Sequence, residues 1–307
     1  MKAISVSFLL NKNIFMNAWI FLIIYTTLFF TTPVAAEVYS FDKDNTVIGV
    51  NKTYSIKNDE SLIEIARKFG LGYNEIVNAN PNLDPFVPGT NMPVKIPSSW
   101  VLPDAASYRG IVINLSEMRL YYFFTKLGST LVRTFPIGIG SEGTDTPEGN
   151  FRVIEKKEKP SWNVPKSIRE KNPKLPKVVP PGPNNPLGSH ALRLSSPGIL
   201  IHGTNRPYGV GRRVSHGCIR LYPEDIPKLF CLSPNGARVA IVRQPVKVGV
   251  KNNKIYIEVH KDKYLKINYF NEAARLLRKK NLFEHISREK FFSALREKTG
   301  IPVEISN

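Results

Sequence analysis

Residues 201–222 read Ile-His-Gly-Thr-Asn-Arg-Pro-Tyr-Gly-Val-Gly-Arg-Arg-Val-Ser-His-Gly-Cys-Ile-Arg-Leu-Tyr. Two of the five histidines and one of the two cysteines of this 307-residue chain fall here. Glycines at 203, 209, 211 and 217 let the backbone turn sharply and approach a ligand closely. A core strand has no need of them. The stretch reads as short strands joined by tight turns that carry reactive side chains.

A cysteine attacks as thiolate, and a free thiol with pKa about 8.5 is mostly protonated near neutrality. A neighbouring imidazole that takes the proton forms an ion pair with the sulfur. Its second ring nitrogen then needs an acceptor to fix the tautomer. His202 and His216 are both candidates. In an extended segment His216 and Cys218 would share a face, but Gly217 between them favours a turn. His202 arrives from a separate predicted strand, Ile199 to Ile201, and can approach the sulfur from across the site. Backbone N–H groups of the turn Ser215 to Cys218 are placed to hold an oxyanion. Pro223-Glu224-Asp225 reads as a helix start, whose positive end favours a thiolate.

Three other readings compete with it. A Cys218–Cys231 disulfide is disfavoured because Cys231 sits in the apolar run Leu229-Phe230-Cys231-Leu232 and is expected in the core. A zinc site of His202, His216 and Cys218 has no HExxH or CxxC motif to support it, so no metal and no cofactor is expected. Ser287-Arg288-Glu289-Lys290 and Lys298-Thr299-Gly300 match two words of serine penicillin-binding enzymes. Only seven residues separate them and Ser-Asp-Asn is absent, so the match is coincidence.

Working outward, residues 108–244 read as mainly β, a sandwich or barrel rather than βαβ units. Strands are predicted at Ile111 to Leu115, Arg119 to Phe124, Thr130 to Ile137, Phe151 to Glu155, His190 to Leu194 and Ala237 to Arg243. Lys159 to Gly188 interrupts them with eight prolines, six Lys or Arg residues and Trp162. Such a segment is expected to form neither helix nor central strand and to act as a lid beside the site. Residues 52–97 read as a small separate α+β module in the order βααβ. Ser61 and Glu64 make a capping box. Leu62, Ile65, Ala66 and Phe69 follow at helical spacing, and Asn80-Pro81 ends a second helix. Residues 245–307 form a tail, with an exposed strand expected at Lys254 to Val259 and helices at Asn271 to Lys280 and Ser287 to Lys298.

Residues 1–36 read as an export signal. Lys2 and Lys12 precede the apolar run Ile14 to Phe30, and Val34-Ala35-Ala36 offers a cleavage site. A retained membrane anchor is the alternative. Forty-three Lys and Arg against 25 Asp and Glu give a net charge of +18. That charge favours anionic partners. Export argues against nucleic acid and for wall polymers or anionic lipid head groups.

Ser215-His216-Gly217-Cys218, preceded by Ile201-His202-Gly203-Thr204-Asn205, resembles the signature of the L,D-transpeptidase family with its YkuD-type catalytic domain. Leu120-Tyr121, Thr146-Pro147-Glu148-Gly149-Asn150-Phe151, Pro186-Leu187-Gly188 and Ala191-Leu192-Arg193-Leu194 match further. The resemblance covers about 108–244 and implies the family's β-sandwich or barrel-like fold. It implies that Cys218 attacks the bond between a meso-diaminopimelate-like residue and D-Ala in a peptidoglycan tetrapeptide stem, with His202 as base. A thioester forms and passes to an amine, giving a 3-3 cross-link or an attached lipoprotein of the outer membrane. It places Ser215, His216, Gly217 and Arg220 on the oxyanion and substrate side. Hydrolysis of stem-peptide or lipoprotein bonds is the alternative within the family, and a catalytically silent wall-binding protein the alternative outside it.

Residues 52–97 resemble the LysM domain through Tyr54-Ser55-Ile56-Lys57, Asn78-Ala79-Asn80-Pro81, Pro88-Gly89-Thr90 and Val94-Lys95-Ile96-Pro97. This implies binding to N-acetylglucosamine-containing glycan. Asn58-Asp59-Glu60 stands where that family has a Gly-Asp pair, a departure that weakens the expected binding. The tail beginning Pro245-Val246-Lys247-Val248 resembles that of Gram-negative relatives, which implies the periplasm.

Overall fold

The computed structural model describes residues 37–307. The export signal read in residues 1–36 lies outside the described residues. No helix among the described residues is long and apolar enough to cross a membrane.

The fold is mainly β. Nine strands form one sheet in the order Val38–Ser40, Ser129–Pro136, Arg119–Lys126, Gly110–Asn114, Arg238–Val242, Gly149–Glu158, His190–Leu194, Leu200–His202, Ile219–Arg220. The sheet is mixed. Arg238–Val242 runs parallel to Gly110–Asn114, and Leu200–His202 runs parallel to Ile219–Arg220. The hairpin 110–126 forms because β-branched and aromatic residues flank a turn in which Met118 takes φ of +57°.

Side chains alternate across a strand, and here both faces are buried. Ile111, Ile113, Leu120 and Tyr122 point into one core with Phe135, Ile201, Ile219 and Ile226. Val112, Tyr121, Phe123 and Val132 point into a second core, which they share with Ile56, Leu62, Ile65, Ile76 and Ile96 of the 52–97 module and with Trp100 just after it. The 52–97 module covers the outer face of the nine-stranded sheet. The physical reason stands in the strands themselves. Ile-Val-Ile and Leu-Tyr-Tyr-Phe are apolar at every position, as strands covered on both sides are.

Within the module, strands Lys52–Ser55 and Pro93–Ile96 pair antiparallel around helices Leu62–Lys68 and Tyr73–Ala79. The capping box forms: Ser61 N donates to the Glu64 carboxylate at 2.9 Å and Glu64 N to Ser61 Oγ at 3.3 Å. An ion pair crosses to the sheet. Arg119, fully buried, donates to both oxygens of Glu75 at 2.8 and 2.7 Å, and Trp100 Nε1 donates to the same carboxylate at 3.0 Å.

The tail builds a core of its own. Strands Val246–Lys251, Lys254–Val259 and Val303–Glu304 form a sheet. Helices Tyr269–Lys279 and Arg288–Glu297 pack their apolar faces on it through Leu276, Leu277, Phe291 and Leu295. The expected exposed strand 254–259 is instead buried at Ile255, Ile257, Glu258 and Val259. Its alternating charges mislead because Glu258 is an internal ion. The Lys247 ammonium donates to Glu117 at 2.7 Å, lies 2.8 Å from Glu258, and donates to the Val101 carbonyl at 2.7 Å. His260 Nε2 lies 2.6 Å from Glu258, and the Tyr121 hydroxyl donates to Glu117 at 2.8 Å. These ions join the nine-stranded sheet, the 99–101 strand and the tail.

Removing one partner of such a buried set leaves uncompensated charge in low dielectric. Lys247→Ala is expected to cost about 3–5 kcal/mol of unfolding free energy, measured as the fall in denaturant midpoint. A loss below about 1 kcal/mol, typical of surface pairs, would contradict this account.

Candidate active site

Two short strands at one edge of the sheet set the site. Leu200–His202 and Ile219–Arg220 run parallel with Ile201 beside Ile219 and His202 beside Arg220. Ile201 and Ile219 face the core and are fully buried. The two-residue period sends their neighbours the other way. Leu200, His202, Cys218 and Arg220 all line a cleft of about 670 Å³.

The turn before Cys218 is held by its carbonyls. Gly217 takes φ of +94°, a conformation that L side chains rarely adopt. Ser215, buried, donates its hydroxyl to the Cys218 carbonyl at 2.5 Å. The Ser215 carbonyl accepts from Ser141 N at 2.9 Å and from the Thr144 hydroxyl at 3.0 Å. The Gly217 carbonyl accepts from the Thr146 hydroxyl at 2.9 Å, which in turn accepts from Gly140 N at 2.9 Å. Among the described residues no protein acceptor takes the N–H of His216, Gly217 or Cys218. A turn with its carbonyls tied back and its donors uncommitted can stabilise a developing oxyanion.

His202 is buried, and its Nδ1 lies 2.6 Å from the Gly203 carbonyl. A carbonyl only accepts, so Nδ1 carries the proton and Nε2 keeps its lone pair. Burial, reinforced by the Arg220 charge and opposed by the Gly203 bond, pushes His202 down to about 4. Burial pushes the Cys218 thiol up, against the Leu200 N–H and the charges of Arg220 and Arg193. The thiol donates to the Gly198 carbonyl at 3.4 Å. Both pKa directions disfavour the charged forms and so run against the expected ion pair in the resting site, because desolvation penalises imidazolium and thiolate alike. Arg220 itself is half-buried with its Nε unpartnered, and burial lowers its pKa.

The segment 159–188 walls the cleft with Trp162, Ile168, Leu175, Val179 and Leu187. It is more ordered than its prolines imply. Lys166–Lys171 forms a helix, with Pro165 at its cap position, where the missing N–H costs nothing. Trp162–Asn163 pairs with Val178–Val179 as a separate ribbon outside the main sheet. The cleft lining is basic, with Lys157, Lys171, Arg193, Arg206 and Arg220 against Glu155.

All six site residues singled out from the sequence gather here, although not equivalently. His216 is exposed at the cleft, while Ser215 and Gly217 are buried beneath it. Thr146, Thr144 and Ser141, which fix the turn, carried no role in the sequence reading beyond the Thr146-Pro147 match. Arg193 was likewise met only inside a matching word. The helix after the site begins at Ile226. Both cysteines are free; Cys218 is half-buried, and Cys231 is exposed. The core placement expected for Cys231 is thus corrected: on the helix Ile226–Leu232, Leu229 and Phe230 turn inward and Cys231 outward. Glu117, Glu258 and His260 bring potential metal-ligand atoms within 4.8 Å of one another, but the Lys247 ammonium already bonds both carboxylates.

Residues 108–241 match the L,D-transpeptidase catalytic domain (YkuD), and residues 54–87 match the LysM domain. The probable L,D-transpeptidase YcfS of Escherichia coli strain K12 is 42% identical over 224 residues, which is 70% of this chain and 69% of the relative. The probable L,D-transpeptidase YbiS of the same strain is 39% identical over 240 residues, 75% of this chain and 77% of the relative. The probable L,D-transpeptidase ErfK/SrfK of that strain is 34% identical and spans 92% of this chain and 93% of the relative.

Arg220→Ala removes a cation that disfavours imidazolium and favours thiolate. The pKa of His202 is expected to rise from about 4, and that of Cys218 to rise further above its ordinary value. In a Cys231→Ser background, the pH midpoint of Cys218 alkylation by iodoacetamide should move up in Arg220→Ala and stay in place in Arg220→Lys. A downward shift in Arg220→Ala contradicts the assignment.

Proposed function

The chain belongs to the L,D-transpeptidase family, and from that premise we propose that it acts on peptidoglycan tetrapeptide stems through a cysteinyl thioester on Cys218. One observation carries the reading: a buried imidazole with its Nδ1 proton committed to Gly203 shares a cleft with a half-buried thiol.

The steps follow from these groups. The Cys218 proton passes to His202 Nε2 as the sulfur attacks the carbonyl joining the third stem residue to D-Ala. The N–H groups of Gly217 and Cys218 stabilise the oxyanion, beside the His216 ring at the cleft. Collapse breaks the amide bond, and His202 returns the proton to the departing D-Ala amine. An acceptor amine then attacks the thioester and loses its proton to His202. The second oxyanion collapses to a new amide and the Cys218 thiol. The Arg220 charge disfavours a protonated His202 in the resting site and lowers the energy of the thiolate that appears in the cycle. Acceptors with the required chemistry are a second stem peptide, giving a 3-3 cross-link, and a lysine of an outer-membrane lipoprotein. Water at the same step would give hydrolysis.

The basic cleft suits a substrate that carries carboxylates. The 54–87 module would hold the glycan of the same polymer. Its departure from the LysM pattern is locally accommodated. Asn58 and Asp59 both take positive φ, and Asp59 accepts from the Thr90 hydroxyl at 3.0 Å. A wall polymer as substrate places the enzyme outside the cytoplasm, in the periplasm, with residues 1–36 as its export signal.

Cys218→Ala and His202→Ala should each lower D-Ala release from a disaccharide tetrapeptide by about 10³-fold or more, and the double variant should be little worse than either, as for residues acting as a unit. Mass spectrometry of the products, with and without an added amine, reads transfer against hydrolysis. Full activity in Cys218→Ala would end the proposal.

A further inference from the structure

The loop that leads into the Cys218 turn is also the surface on which the 52–97 module docks. Val210 and Gly211 present their carbonyls to the first two residues of the helix Tyr73–Ala79: Tyr73 N donates to Val210 O at 3.2 Å and Asn74 N to Gly211 O at 3.3 Å. Initial N–H groups of a helix have no partner within it, so the catalytic loop supplies what the helix lacks. The two backbones touch. A Cβ on Gly211 would lie 2.1 Å from Tyr73 N, and a Cβ on Gly72 would lie 2.8 Å from the Gly211 Cα. Directly after this contact the Arg212 guanidinium stacks 3.6 Å from the centre of the Tyr73 ring. A desolvated cation on an aromatic face is a directional contact.

The following residues run without slack to the nucleophile. Arg213 pairs with Asp145 and stacks 3.9 Å from the centre of the Tyr264 ring of the tail. Ser215 and Gly217 are tied through their carbonyls as described above. On the far side of Cys218, the Tyr222 hydroxyl donates to the Leu71 carbonyl at 3.0 Å, and Arg67 grips Glu224 through two bonds of 2.8 Å. The module therefore holds the chain both before and after the turn.

We propose that the 52–97 module is a positioning element of the catalytic turn, with Tyr73 and Arg212 as the positioning residues that set the place of Cys218 against Leu200 and Arg220. This rests on Cys218 being the nucleophile and extends that reading. A module that only recruits polymer would need no contact with residues 210–212. Here its helix start, a glycine pair and a cation–aromatic stack all converge on the segment six to eight residues before the sulfur.

The test uses the full-length chain carrying Cys231→Ser, so that Cys218 is the one thiol. In Tyr73→Ala the turn loses its stack, and Cys218 moves away from the Leu200 N–H and the Arg220 charge that favour its thiolate. The pH midpoint of Cys218 alkylation by iodoacetamide should rise, and kcat for D-Ala release should fall about 10- to 100-fold, the scale of a small misplacement, with KM nearly unchanged. Tyr73→Phe keeps the ring and should match the parent in both. Arg212→Gln gives a second route to the same changes should Tyr73→Ala not fold. An unmoved alkylation midpoint and unmoved kcat in either folded variant overturn the proposal, even where the melting temperature has dropped. Alkylation needs no peptide, so a parent chain that releases no D-Ala would remove the proposed function and leave this test standing.

Discussion

Everything in the site depends on the register of two very short parallel strands. Placing Ile201 beside Ile219 buries two apolar side chains in the core. The same register turns Leu200, His202, Cys218 and Arg220 to the cleft. A slip of one residue would exchange the two sets. It would put an arginine and a histidine in the core, at a cost of several kcal/mol for the charged group alone. Hydrophobic burial on one face thus enforces chemical placement on the other.

The strands are too short to hold this register unaided, and the structure surrounds them with restraints. Thr146, Thr144 and Ser141 tie the turn from one side. The 52–97 module and the tail restrain the chain that enters it. Behind these contacts lie the two buried ionic clusters, Glu75 with Arg119 and Lys247 with Glu117 and Glu258. Each joins parts of the chain that are far apart in sequence. Charges buried in this way hold their partners to one arrangement, since any other leaves an ion without a counter-ion.

Much of this was legible in the residues. The capping box at Ser61 and Glu64, the strand His190 to Leu194 and the gathering of His202 with Cys218 all follow from local signals. The first two rest on spacing and periodicity, which neighbouring residues determine by themselves; the choice of His202 over His216 as partner of Cys218 rested on the family resemblance. What the residues did not show has two sources: partners distant in sequence, and the local turn or placement of a short helix. The 52–97 module shows no sign of dependence in its own composition, yet its helices share a core with Val112 and Phe123. Glu258 and Lys247 look like surface charges until they meet. Cys231 lies in an apolar run, and only the rotation of a seven-residue helix turns it outward. The helix Lys166–Lys171 fits between prolines because Pro165 and Pro173 fall outside it.

The resting charge of the catalytic pair is the account's central claim. Burial and the Arg220 charge push His202 down to about 4 and burial pushes the Cys218 thiol up, directions that favour a neutral imidazole, protonated on Nδ1 toward Gly203, and a protonated thiol at rest. Nitrogen-detected NMR of selectively labelled histidine in the full chain reads this directly. The account predicts that His202 at neutral pH carries one proton, on Nδ1, and takes up a second only near pH 4. A doubly protonated His202 at neutral pH, converted to the neutral form by Cys218→Ser, would mean that the resting site is an ion pair and would contradict it.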